Sequence, residues 1–274
     1  MLDSAIAAGK QDKIDAVAAV ARDAYPGSVK EIDAQVASYR KQVEEKRIAR
    51  LRTQPFFSGW TGQVQLGASL ATGNDDSRGG TFGIQISKEN LKWKHKFDAL
   101  ADYHRAAGLT DRERFNAAYQ GQRTISERFY VYGLLQWERD KPAGYYRRFT
   151  EGTGLGVRLI DRPGLRLDID GGPAFRQTRL TSDGYLNDVA NEGEISGRAS
   201  MALKWDLSPT FSFTQDASAF ISDASTFQST TALTSKLFGR LSARFSFDIK
   251  HETDPPIDTV GTDTISRVTL LYSF

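Results

Sequence analysis

The sequence predicts an all-β protein: an antiparallel up-and-down transmembrane β-barrel of about twelve strands, with a short N-terminal α-helical segment. Three observations predict it. From Phe56 onward, apolar and polar residues alternate with the period of a half-buried strand. The alternating segments are long, matching the roughly 9–11 tilted residues that cross a bilayer rather than the five or six of a globular strand. The links between them alternate short and long, as in barrels with turns on one side of a membrane and loops on the other.

Composition is compatible with this reading. Lys and Arg number 36 against 34 Asp and Glu, for a net charge of +2. That is too close to neutral to argue for a nucleic-acid partner, and no basic stripe interleaved with aromatics stands out. There is no cysteine, so no disulfide framework and no thiolate metal site. The mean hydropathy of −0.45 would suggest a soluble chain. A membrane barrel gives the same average, because lipid-facing and lumen-facing residues cancel. Met1 to Lys10 shows neither the basic nor the apolar region of a signal peptide. A barrel in the envelope is then expected to begin here at a mature or trimmed start.

Residues 1–53 read as a periplasmic helical arm or hairpin. Ile6, Ile14, Val17, Val20 and Ala21 recur at helical spacing until Pro26 and Gly27 break the pattern. A second helix is expected from Ser28, a candidate N-cap with Glu31 three residues on. It carries Ile32, Val36, Tyr39 and Val43, then the basic run Lys46, Arg47, Arg50 and Arg52. Such a segment is too small to hold a core of its own.

Residues 54–274 read as the barrel. Strands are expected at 59–71, 78–88, 91–104, 112–124, 128–140, 146–160, 164–179, 190–207, 210–222, 226–237, 240–252 and 263–274. The third shows the pattern most plainly. Trp93, His95, Phe97, Ala99, Ala101 and Tyr103 alternate with Lys92, Lys94, Lys96, Asp98 and Asp102. Long links are expected at Ala71–Ser77, Arg105–Asp111, Lys141–Tyr145, Leu180–Val189 and Thr253–Thr262. An even strand count puts both ends of the barrel on one side, expected to be the periplasm.

Parity then assigns faces. The lumen is expected to be lined by Arg114, Glu138, Asp140, Arg158, Asp168, Asp170, Glu194, Arg198, Arg244 and Asp248, the candidates for ion selectivity. Lys92, Lys94, Lys96, Asp98, Asp102, Arg112, Arg148, Arg166, Glu192 and Arg267 share that parity. Both signs are present in similar number. Trp60, Trp205, Phe211, Phe213, Tyr272 and Phe274 are expected to form an aromatic girdle on the periplasmic side, with Phe56 and Phe57. Trp137, Tyr145 and Tyr146 fall toward the external side. Gly152, Gly154 and Gly156 lie on one face of a strand, where a dinucleotide loop would need a strand, a turn and a helix. They are expected to make room for large neighbours, with Tyr132 roughly opposite Gly154 or Gly156.

These motifs in order resemble the salt-induced outer-membrane protein family (YdiY-like). The resemblance rests on Gly59-Trp60 before the first strand and Thr72-Gly73-Asn74 at its far end. It also rests on Tyr130-Val131-Tyr132-Gly133 ahead of Trp137-Glu138-Arg139-Asp140, on Gly152 to Arg158, and on the closing Leu271-Tyr272-Ser273-Phe274. It covers the barrel and not the first fifty residues. It implies a bacterial outer-membrane barrel, expression under salt or envelope stress, and no established activity or catalytic residue. Barrels of this kind end on an aromatic that the barrel-assembly machinery reads, which here is Phe274.

The expected function is a passive channel for ions or small polar solutes. The alternative is a structural, envelope-stress barrel with a plugged lumen. About eight strands leave a barrel filled by side chains and about sixteen leave a channel, so strand count does not decide. A membrane hydrolase at the rim would rest on His104, with Asp102 on the same face, or on His251. Nothing around them resembles the motifs of barrel enzymes, and no enzyme is expected. Glu252, Asp254, Asp258 and Asp263, like Asp75 and Asp76, are expected to be solvated loop charge rather than a calcium site. No metal or cofactor is expected. The expected partners are outer-membrane lipid and lipopolysaccharide, the assembly machinery, and a periplasmic partner of the arm.

Overall fold

A computed structural model describes residues 4, 6, 11–53, 55, 58–72, 77–106, 109–141, 143–180, 191–255 and 259–274. The chain divides into two compact units, Met1–Ser58 and Gly59–Phe274.

The first unit is a helical hairpin. Helix α1 (Gln11–Ala24) ends before a 3₁₀ turn (Pro26–Ser28), and α2 (Val29–Thr53) follows. Pro26 lacks the N–H a continuing helix would need, so the chain turns there. Ile14, Ala18 and Val36 are buried between the helices, with Ile6, Val17, Ile32 and Tyr39 packed around them. Arg22 pairs with Asp33 at 2.8 Å and Arg40 with Asp15 at 2.9 Å. Both pairs are exposed, so the small apolar cluster holds the hairpin and the ion pairs set its register.

The second unit is a closed barrel of twelve antiparallel strands in sequence order. They are β1 (Thr61–Thr72), β2 (Ser77–Glu89), β3 (Trp93–Ala106), β4 (Leu109–Thr124), β5 (Phe129–Asp140) and β6 (Tyr145–Arg162). Then come β7 (Leu165–Leu180), β8 (Asn191–Asp206), β9 (Phe211–Ile221), β10 (Thr226–Phe238), β11 (Leu241–Glu252) and β12 (Thr262–Ser273). β1 pairs with β12 from Gln63↔Ser273 to Thr72↔Thr264, which closes the sheet. Beyond the ladder, Gly62 N–H donates to Phe274 O at 3.1 Å and Phe274 N–H to Gly62 O at 2.9 Å. Closure leaves no strand edge, the condition for strands to cross a membrane.

The barrel is apolar outside and polar within. Leu66, Leu155, Ile195 and Val268 are each more than 60% exposed, while Thr81, Tyr130 and Arg176 are buried inside the wall. A soluble ligand-binding barrel would have the opposite arrangement. No described helix is long and apolar enough to cross a membrane, and here the strands are the crossing elements.

Both barrel termini lie at one rim, called the terminal rim; the other is the far rim. Turns at the terminal rim are tight. Gly164 (φ 77°) and Gly239 (φ 55°) supply the left-handed backbone that the turns at 163–164 and 239–240 require. Between the described strands, the widest far-rim intervals are from Leu180 to Asn191 and from Glu252 to Thr262. The expected long link at Arg105–Asp111 is absent, because β3 and β4 run on to Ala106 and Leu109. The connection at 141–144 is also shorter than expected, and that at 222–225 is short, as the sequence around Asp223–Ser225 already suggests against the rule, so the alternation of link lengths is weak.

Candidate functional site

The lumen is the candidate site. Arg114, Glu138, Asp140, Arg158, Asp168, Asp170, Glu194, Arg198, Arg244 and Asp248 occupy alternate positions on β4–β8 and β11 that share the inner face. Lys92 does not join them; it lies in the turn before β3, where its carbonyl accepts from Thr124 N–H at 2.8 Å. The side chains of His104, Arg112 and Glu192, and the residues Phe56, Phe57, Asp75, Asp76 and Asp258, lie outside the described set.

In the terminal half, one side of the lumen is filled by aromatics. Tyr132 pairs with Gly154 and Tyr130 with Gly156 across β5 and β6. A Cβ on Gly156 would meet the Tyr130 ring at 2.1 Å, so the absent side chain is what admits the ring. Gly154 has a different reason to be small. Its Cβ would meet the Gly171 carbonyl oxygen at 2.1 Å, where β6 and β7 approach closely. Tyr130 donates to Asp170 at 3.3 Å, and Asp170 also accepts from Arg198 and Ser200. Phe220, an inward aromatic one residue from the far-rim end of β9, lies under the guanidinium of Arg176 at 4.3 Å.

In the far half, ion pairs cross from wall to wall. Arg148 on β6 donates to Glu252 on β11 at 2.8 Å, with β7–β10 between their strands. Lys250 reaches Glu252 at 3.2 Å and Asp140 on β5 at 3.9 Å, and donates to the Tyr145 hydroxyl. Gln228 on β10 donates to Glu138 on β5 at 3.4 Å. Arg114 bridges Asp140 at 2.9 Å and Asp263 on β12 at 3.3 Å. Arg267 holds Asp102 with two bonds, at 3.0 and 2.6 Å, and also pairs with Asp248. Every bridge joins opposite charges or hydrogen-bonding partners, so charges of both signs face one another across the constriction.

Three expectations are corrected here. Tyr145 is not an outer-girdle residue: it is fully buried in the lumen, with Arg148 stacked on its ring at 4.1 Å. The β6–β7 register shifts between Tyr145 and Arg147, and that bulge reverses the local parity. Glu252 and Asp263 are not loop charge; they end β11 and begin β12, face inward, and pair with cations. Lys250 and Arg176 were missed as lumen residues although each keeps the inward parity of its strand. Among the described residues no group of carboxylates and histidines is placed to hold a metal ion.

Below the crossing bridges remains a cavity of about 350 Å³, lined by Gln65, Gln85, Lys96, Asp98, Asp216 and Arg244 among others and reaching Asp140, Tyr145 and Lys250. Of the two histidines that raised an enzymatic reading, the side chain of His104 lies outside the described residues and His251 faces outward, as does His95. His95 stacks between Trp93 and Tyr119, with Nδ1 2.8 Å from the Tyr119 hydroxyl. His251 lies against Phe227, with Nδ1 2.8 Å from the Thr262 hydroxyl. The Asp102 carboxylate is held by Arg267 and Thr81.

The outer face carries aromatic residues at both rims. Trp205, Phe211, Tyr272 and Phe274 are about half exposed at the terminal rim, with Trp60 and Phe213 less so. Tyr103, Trp137 and Phe227 take the corresponding place at the far rim.

A polar lumen in an apolar, aromatic-girdled wall is the frame against which known proteins compare. A family described as "Protein of unknown function, DUF481" matches residues 64–274, the barrel from its first strand to its last residue. The chain belongs to the DUF481 family. The uncharacterized protein YdiY of Escherichia coli K12 is 25% identical to it over 162 residues, 59% of this chain. That match spans 62% of YdiY's own length. The DUF481 barrel also superposes on the NanC porin, with a TM-score of 0.52 and 7% identity, covering 76% of this chain and 98% of that one. An outer-membrane channel of Pseudomonas putida F1 gives a TM-score of 0.49 and 10% identity, covering 81% of this chain and all of the other (100%). At such identities the likeness to NanC establishes the porin-like barrel fold and carries no solute across.

Proposed function

We propose that the DUF481 barrel lies in the bacterial outer membrane and passes ions or small polar solutes through a narrow lumen, at a rate limited by the cross-lumen bridge. The observation that carries this reading is the polar cavity of about 350 Å³ directly against the Arg148–Glu252–Lys250–Asp140 crossing, inside a wall whose outer face is apolar. Water and ions are at home in such a cavity, and the side chains that cross the far half are charged or hydrogen-bonding. The paired charges favour weak ion preference. In this reading both barrel termini face the periplasm, with the helical hairpin there, and Phe274 is presented to the assembly machinery.

A second reading is a structural barrel with a permanently plugged lumen. It is favoured by the fact that the bridges join opposite walls, which stiffens the barrel as well as obstructing it. Expression under salt or envelope stress would suit either reading.

Single-channel recording of the refolded protein in a planar bilayer separates them. Small discrete steps are expected from the native chain, and larger ones from a Lys250→Ala/Glu252→Ala variant. A larger step on removing residues 1–53 instead would give the obstruction to the helical unit. Silence from every form, with the barrel shown to be folded, would leave the structural reading.

A further inference from the structure

The outer face of β5–β7 is unlike the rest of the wall. At the far rim Arg139, Arg147 and Arg179 stand on three neighbouring strands, with Arg147 paired to Arg179 in the ladder. The bulge that sends Tyr145 inward leaves Tyr146 and Arg147 both exposed. The Tyr146 ring lies 4.9 Å from the Arg139 guanidinium and 5.9 Å from that of Arg179. One carboxylate, Glu113, pairs with Arg139 at 3.8 Å. Two guanidiniums over one exposed ring, with Arg147 next in sequence to that ring and one acid beside Arg139, leave an excess of positive charge at this rim.

Deeper on the same strands the wall is hollowed. A groove of about 920 Å³ crosses the outer face over Gly121, Gly133, Thr153 and Pro173, between larger apolar neighbours such as Leu135 and Phe175. It is floored by small residues, and a Cβ at Gly133 would meet nothing within 4 Å. Glu151 lines this groove, paired in register with Leu135 and Phe175. A carboxylate facing lipid is costly, and such a group marks a site that offers it donors.

We propose that this face binds one phosphorylated, multiply acylated lipid of the surrounding leaflet, of the lipopolysaccharide class. Its phosphate lies among Arg139, Arg147 and Arg179, in the charge-assisted hydrogen bonds that guanidinium and phosphate form. An acyl chain runs down the wall into the groove over Gly133. Glu151 accepts a hydrogen bond from a hydroxyl or amide N–H of the acyl linkage, a donor that simple phosphatidyl lipids lack there. The site rests on the outer-membrane reading but not on conduction, since it lies outside the wall.

The test uses the full chain refolded in detergent micelles, with lipid adducts counted by native mass spectrometry. Diphosphoryl lipid A, phosphatidylethanolamine and inorganic phosphate are titrated in parallel. One saturable lipid A adduct is expected, and an Arg147→Ser/Arg179→Ser variant should weaken it about tenfold or more. Gly133→Leu should weaken it several-fold by filling the groove. A Cβ at Gly133 meets nothing within 4 Å, so this variant leaves the wall intact, as heat-shifted gel mobility verifies. The proposal is overturned if phosphatidylethanolamine binds equally, if inorganic phosphate displaces lipid A at matched concentration, or if folded variants bind as the native chain does. It is also overturned if Gly133→Leu acts by dissolving a dimer. A silent barrel that holds lipid A would remove the channel and keep this site; a conducting barrel that does not would remove only the site.

Discussion

A methyl group added at Gly156 would meet three atoms of the Tyr130 ring at 2.1–2.6 Å, whereas one added at Gly154 would meet the carbonyl and backbone of Gly171 and Gly172. The difference predicts opposite behaviour in a double-mutant cycle. Gly156→Ala should lower stability by about 1–3 kcal/mol, the usual cost of overpacking. Tyr130→Ala in the same background should recover most of that loss, because the obstruction is a side chain. Gly154→Ala should cost at least as much, and Tyr132→Ala should recover none of it, since backbone cannot be trimmed. Urea titration of the refolded barrel, followed by tryptophan fluorescence, measures all four. Recovery in both pairs would mean that the β6–β7 approach at Gly154 is looser than its geometry indicates. The sequence sets Tyr132 roughly opposite Gly154 or Gly156, and the ladder pairs it with Gly154; the sequence does not name Tyr130, the ring that Gly156 admits. Tyr145 was not legible. It sits at a bulge, and a one-residue bulge reverses every parity argument beside it.

At the scale of the element, the closure of β1 on β12 extends through the reciprocal pair between Gly62 and Phe274. Gly62 also makes room for the terminal ring, since a Cβ there would meet Phe274 Cζ at 2.6 Å and Ile86 Cγ2 at 2.7 Å. Deleting Phe274 removes both hydrogen bonds and the ring at the seam of the barrel. The deletion should lower the temperature at which the folded gel form is lost, and lower refolding yield in micelles, where no assembly machinery is present. Replacing Phe274 by Leu keeps the backbone pair and should restore most of the thermal loss. If Leu fails as fully as deletion, the ring rather than the seam hydrogen bonds holds the closure. All twelve strands were legible from period-two alternation because each has one face in contact with lipid and one with a polar lumen. Their ends were less so. β3 and β4 continue past the expected loop at Arg105–Asp111, since pairing between strands and not the local pattern decides where a hairpin closes.

For the whole molecule, the decisive contacts join residues far apart in sequence and on opposite walls, and this is why the sequence could name the lumen residues but not their partners. Parity points Arg148 inward, while Glu252 reads as loop charge; only the full length of β11 and the diameter and register of the closed barrel bring the two to 2.8 Å. Both groups are nearly buried, at 8% and 11% side-chain exposure, so salt screens the pair far less than a surface pair. Glu252 is the shared acceptor of Arg148 and Lys250. Glu252→Gln therefore strands Arg148, leaves Lys250 with Asp140 alone as a carboxylate partner, and should destabilise the barrel by about 3 kcal/mol, the cost of breaking a buried pair from one side. The exchange Arg148→Glu/Glu252→Arg keeps one pair of opposite charges across the lumen but turns a carboxylate toward the wall of β6 and a guanidinium toward Lys250. It should recover part of the stability lost in Arg148→Glu alone, and its conductance should stay below that of the single variant. Conductance that rises equally in the single and the exchanged variant would show that the crossing pair does not limit passage, and the obstruction would then have to lie with Tyr130 and Tyr132 in the terminal half.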